Sequence, residues 1–63
     1  MEAHQQRVID EKAALDEKCQ KLSTFIKGDI FVNLPTAEQE RLGKQIKVMD
    51  EYSYILGERI AAF

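Results

Sequence analysis

Apolar side chains recur along the chain in alternating steps of four and three residues, and the rhythm breaks once. Between Gln5 and Lys27 it is kept by Val8, Leu15, Cys19, Leu22 and Ile26, with Lys12 as the polar step. Residues three and four apart share a helical face, so this spacing predicts a helix over about 5–27 with a narrow apolar seam. Gly28 follows, and helices commonly stop on a left-handed glycine. The stretch GDIFVNLP then predicts a connection over 28–35. Its Ile30, Phe31 and Leu34 are too apolar for a solvated loop and are expected to cap the end of the seam. Pro35 cannot continue a preceding helix, and Thr36 stands three residues ahead of Gln39, the spacing of a capping box. A second helix is therefore predicted over about 36–62.

The second helix repeats the rhythm with Leu42, Ile46, Met49, Ser53, Leu56, Ile60 and Phe63, where Ser53 is the polar step. A further stripe, Val48, Tyr52, Ile55, Arg59 and Ala62, runs beside it on the neighbouring face. At about 1.5 Å per residue the two helices are each roughly 35–40 Å long, matched for antiparallel pairing. The predicted fold is all-α: one domain over residues 1–63, a two-helix antiparallel hairpin. Because one hairpin partner covers only one face of the second helix, the extra stripe predicts assembly into a homo-oligomeric helical bundle.

Size points the same way. A chain of 63 residues buries only about 60% of the surface its unfolded form exposes. Small domains compensate with disulfides, metals or oligomerisation. One cysteine, Cys19, rules out an internal disulfide, and one histidine, His4, is too little for a structural zinc site. No metal or cofactor is expected, and self-association remains.

Nine basic against eleven acidic residues give a net charge of −2, which argues against tracking the phosphates of a DNA or RNA polymer. A small anionic ligand needs only two or three local cations and stays compatible with it. No apolar run is long enough to span a membrane, and MEAHQQRVIDEK lacks the apolar core of a signal peptide, so an intracellular protein is expected.

The sequence offers little for catalysis. Gly28, Gly43 and Gly57 are isolated and form no phosphate loop. Gly43 and Gly57 sit inside the helical pattern, where each costs about 1 kcal/mol relative to alanine; for Gly57, close approach of a neighbouring helix is an alternative to simple tolerance. Glu58 beside Arg59 reads as a solvated or interfacial ion pair rather than an acid–base couple. Cys19 lies on the seam as a small apolar residue, without a partnered imidazole to activate it. The chain is not expected to be an enzyme.

Binding chemistry is richer. Tyr52 and Tyr54 carry flat faces and hydroxyls, Arg7 and Arg59 carry planar donors suited to phosphate, and Lys12 and Ser53 interrupt the two seams. Antiparallel pairing brings Lys12 and Ser53 together and sets His4 and Arg7 near Arg59 and Phe63 at the open end of the hairpin. A nucleotide would use such a set, with planes against bases, guanidiniums on phosphates and Phe63 as an apolar wall. The candidate ligand residues are therefore His4, Arg7, Lys12, Tyr52, Ser53, Tyr54, Arg59 and Phe63. The alternative is that the aromatic rings fill a subunit interface while Lys12 and Arg59 extend their heads to water.

The segments HQQRVIDEK, LPTAEQERL and EYSYILGERIAAF resemble a family of small tailed-phage proteins described as crAssphage-related, over nearly the whole chain. In architecture the chain also resembles the helical-hairpin domain of phage anti-CBASS and anti-Thoeris sponge proteins, through its size, its hairpin topology and the arginine of the terminal RIAAF. That resemblance implies a homo-oligomer acting in the cytoplasm of an infected bacterial host. Its role would be immune evasion, binding and sequestering a cyclic nucleotide or cyclic ADP-ribose-type signal without catalysis. Fold alone does not carry function, and a coiled-coil-like adaptor for a host or phage protein is the competing expectation.

Overall fold

A computed structural model describes all residues 1–63. Three helices follow in order: α1 over Ala3–Ile26, a single turn α2 over Asp29–Val32, and α3 over Thr36–Ala61. The two long helices stand against expected spans of about 5–27 and 36–62, α2 lies inside the expected connection over 28–35, and no strand is present. The molecule is a rod of 46 × 15 × 13 Å, with α1 packed along α3.

The paired seams face each other as their spacing requires. Val8 and Leu56 are buried, while Leu15, Cys19, Leu22, Ile26, Leu42, Ile46, Met49 and Ile60 are half-buried. Lys12 and Ser53 lie in the same row at the same intermediate burial. Asp16 on α1 bonds to Ser53 on α3, and Lys12, one turn earlier, lies against Gly57, one turn later. A step toward the N-terminus on one helix thus matches a step toward the C-terminus on the other, and the pairing is antiparallel.

The turn end departs from expectation in three ways. Gly28 is not left-handed; Lys27 closes α1 in right-handed helical geometry and no residue has positive φ. Gly28 instead sits extended at φ −93°, ψ 174° and opens α2, the helical turn that shortens the connection. The capping box expected of Thr36 and Gln39 does not form, since Pro35 occupies the N-cap without a side-chain bond. Gln39 Nε2 instead donates to the carbonyls of Leu34 at 3.0 Å and Val32 at 3.3 Å, satisfying acceptors left over where α2 ends. Finally, Phe31 and Leu34 are half-buried as a cap on the seam, but Ile30 is 67% exposed. Once 29–32 is helical, Ile30 and Phe31 point about 100° apart, and only one can face the seam.

Two of 63 residues are buried, Val8 and Leu56, and only Leu56 is fully removed from water. The stripe beside the α3 seam is uncovered in the hairpin: Val48 is 62%, Tyr52 42% and Ile55 52% exposed.

Candidate functional site

The polar steps of the two seams meet at Asp16. Lys12 Nζ donates to Asp16 Oδ2 at 2.7 Å, and Ser53 Oγ donates to Asp16 Oδ1, so one carboxylate ties α1 to α3. The stem of Lys12 crosses α3 at Gly57, where a Cβ would stand 3.3 Å from Lys12 Cε. Gly57 therefore makes room for a side chain of the opposite helix, whereas Gly43 has open space around it and serves no such purpose. The hydrogen bonds from Lys12 and Ser53, then the Lys12 charge, hold the Asp16 carboxyl below its ordinary range despite some loss of solvent. Cys19, nearby on the seam, has its thiol pushed up, first by burial and then by the charges of Asp50 and Asp16. A raised thiol stays protonated at neutral pH and is a poor nucleophile.

Beside this clamp lies a shallow groove of about 520 Å³, bordered by Lys12, Ser53, Tyr54, Gly57, Asp50 and Glu58. Three predicted site residues, Lys12, Ser53 and Tyr54, come together there. Its single cation is already engaged by Asp16, and the two other charges on its wall are carboxylates. The groove can accept hydrogen bonds from hydroxyls or amines, but a phosphate placed in it would meet acidic side chains.

The remaining candidates fall elsewhere. A helix turns by about 100° per residue, so Tyr52 and Arg59 stand on the flank of α3 opposite Asp50 and Tyr54. In an antiparallel pair the same geometry puts Arg7 on the Tyr52 and Arg59 side of the rod. Arg7 and Arg59 are exposed and enter none of the four ion pairs of the chain. Phe63 is 48% exposed beyond the end of α3. His4 Nδ1 lies 3.6 Å from Glu2 Oε2 and is largely solvated. Six of the eight candidates thus divide between two flanks, Lys12, Ser53 and Tyr54 on one and Arg7, Tyr52 and Arg59 on the other, and His4 and Phe63 stand near the helix ends.

Asp16, Asp50 and Glu58 were absent from the expected set. Asp16 is the residue after Leu15 and reads as solvent-facing, yet it stands one turn beyond Lys12, the separation at which a lysine and a carboxylate meet on a helix. Asp50, Tyr54, Gly57 and Ala61 follow the same four-three spacing as the seam, one row over, which is the signal that could have found the groove. No helix is long and apolar enough to cross a membrane, and no three His, Cys, Asp or Glu side chains are grouped to hold a metal.

No curated protein and no solved structure matches the chain. A family model does, that of Sequestin, and it runs over residues 2–62. With the match extending through both long helices and the turn between them, the chain belongs to the Sequestin family.

Proposed function

We propose that this protein is a non-catalytic sponge that captures a small nucleotide signal, a cyclic nucleotide or cyclic ADP-ribose-type molecule, and withholds it from the receptor that reads it. The family name speaks of sequestering. The setting, immune evasion inside an infected bacterium, is what the resemblance to phage sponge proteins implies. The observation that carries the reading is the pair of exposed guanidiniums, Arg7 and Arg59, on one side of the open end without carboxylate partners. Planar donors not already paired are available for phosphate oxygens, whereas Lys12 would first have to leave Asp16. In this reading Arg59 and Arg7 take the phosphates and Phe63 forms the apolar wall. The groove of Lys12, Ser53 and Tyr54, with Asp50 and Glu58, suits a neutral hydroxyl or amine.

Arg59→Ala tests it. Losing one charge-assisted hydrogen-bonding group costs about 1.5–3 kcal/mol, or roughly ten- to a hundredfold in affinity. Native mass spectra with a panel of cyclic nucleotides should show stoichiometric uptake by wild type, and heat denaturation should release the ligand intact. Uptake by Arg59→Ala equal to wild type at unchanged assembly, or recovery of cleaved ligand, would sink the proposal. The adaptor reading is favoured by one observation, the uncovered Val48, Tyr52 and Ile55 stripe. It predicts no uptake of any nucleotide in the panel.

A further inference from the structure

We propose that α3 pairs with α3 of a second copy of this chain, antiparallel about a twofold axis, through the stripe Val48, Tyr52 and Ile55. Area is the first argument. A monomeric protein of 7.3 kDa exposes about 4,200 Å² by the usual scaling of surface with mass, and this hairpin exposes 4843 Å². The excess, roughly 600–700 Å², is close to the ~800 Å² that each partner contributes to a standard interface. Three of the four exposed large apolar side chains of α3, Val48, Tyr52 and Ile55, lie in one row that a single straight contact can remove from water, and Tyr54 stands on the other flank.

The pattern of that row supports a second copy over an unrelated partner. Extended in both directions it reads Arg41, Gln45, Val48, Tyr52, Ile55, Arg59 and Ala62, an unbroken four-three repeat with apolar residues at its centre and an arginine toward each end. Such a repeat is the seam of a coiled coil. In a parallel pair in register, Arg59, which enters no ion pair, would face Arg59 of the second copy in a layer of like charge, whereas Arg41 is already held by Glu38 at 2.8 Å. In an antiparallel pair with Tyr52 opposite Ile55 of the second copy, Arg59 meets Val48 and Ala62 meets Gln45. The Arg59 stem then lies on an aliphatic side chain while its head reaches the rim. The arrangement is self-complementary, as a twofold interface must be, and it leaves the Asp50 and Tyr54 flank open. It requires no ligand, and because only the Arg59 stem enters the contact the guanidinium stays at the rim, where the sponge reading uses it.

Sedimentation equilibrium of the full chain at micromolar concentration should give twice the 7.3 kDa chain mass. Val48→Lys and Ile55→Lys place a charge in the centre of the contact and should weaken the dimer by about thirtyfold or more. Both positions are exposed in the hairpin, so its own seams survive the changes. A spin label at Lys44→Cys in a Cys19→Ala background reports orientation by electron paramagnetic resonance and leaves the row itself untouched. With the axis midway between Tyr52 and Ile55, the two labels stand about 28 Å apart along the helices; a parallel pair would hold them about 10 Å apart. The proposal is overturned by a single-chain mass for wild type, by a larger assembly, by a dimer that survives Ile55→Lys, or by the short distance.

Discussion

Ile55 and Leu56 are neighbours on α3, yet Leu56 has no exposed surface and Ile55 keeps 52% of its own. The helix presents one flank to α1, where Ser53, Asp16, Lys12 and Gly57 interlock and each polar atom of the clamp has a partner within the hairpin. Its other flank shows exposed apolar residues and Arg59, which enters no ion pair. The first flank is finished by folding and the second is not. Stability of the hairpin should therefore reside in the first, and dependence on concentration or ligand in the second.

The largest expected effect separates these adjacent residues. Leu56→Ala should cost about 2–5 kcal/mol, as truncation of a fully buried leucine does, and in a two-helix domain that is enough to unfold much of the population. Ile55→Ala should cost no more than about 0.5 kcal/mol where the hairpin is monomeric. As protein concentration rises its penalty should grow, because it acts on association. Urea unfolding followed by circular dichroism over a range of concentrations measures both. Equal costs for the two at every concentration would erase the distinction between the flanks.

Two glycines of α3 sharpen the comparison at a smaller scale. Gly43→Ala adds a methyl group into open space and should stabilise the helix by about 0.8–1 kcal/mol. Gly57→Ala gains the same propensity, but its Cβ would press on Lys12 Cε at 3.3 Å, so the Lys12 stem must shift by a few tenths of an ångström. The end of a flexible side chain gives way, leaving a net gain smaller than at Gly43. If urea midpoints rise equally for both, Lys12 does not need the space that Gly57 leaves.

The two seams were legible because burial on a helix repeats with a fixed period, and the single polar step in each had to land within about a turn of the other once the helices ran antiparallel. The uncovered stripe was legible for the same reason. The clamp was not, because the seam rhythm marks Lys12 and Ser53 as exceptions without saying which group satisfies them, and Asp16 sits one residue off the row. At the turn, Gly28 and Gln39 carry local signals that fit several geometries. The choice fell to α2, whose single turn set the carbonyls that Gln39 meets. The candidate site was legible as a list of residue types but not as a cluster. Tyr52 and Tyr54 are two apart, which on a helix means about 200° of rotation, and that alone assigns them to different flanks.

The smallest effect is specific to the finished flank and is read as pH dependence. The carboxyl of Asp16 is held below its ordinary range by the Lys12 and Ser53 hydrogen bonds, so folding favours the ionised form. Its contribution is fully present above the unfolded value, near pH 4, and is lost as pH falls through the lower folded value. Other carboxylates titrate in the same interval, and comparison with Asp16→Asn isolates this one. The variant keeps the shape and an acceptor for Ser53 but cannot ionise. Wild type should therefore be the more stable at neutral pH, and the gap should close on acidification below about pH 4. Asp16 is partly solvated, so salt should narrow the gap as well. A gap that is constant from neutral to acid pH would mean that the Lys12 bond does not distinguish the charged carboxyl from the neutral one. Ser53 alone would then hold the helices together at that level.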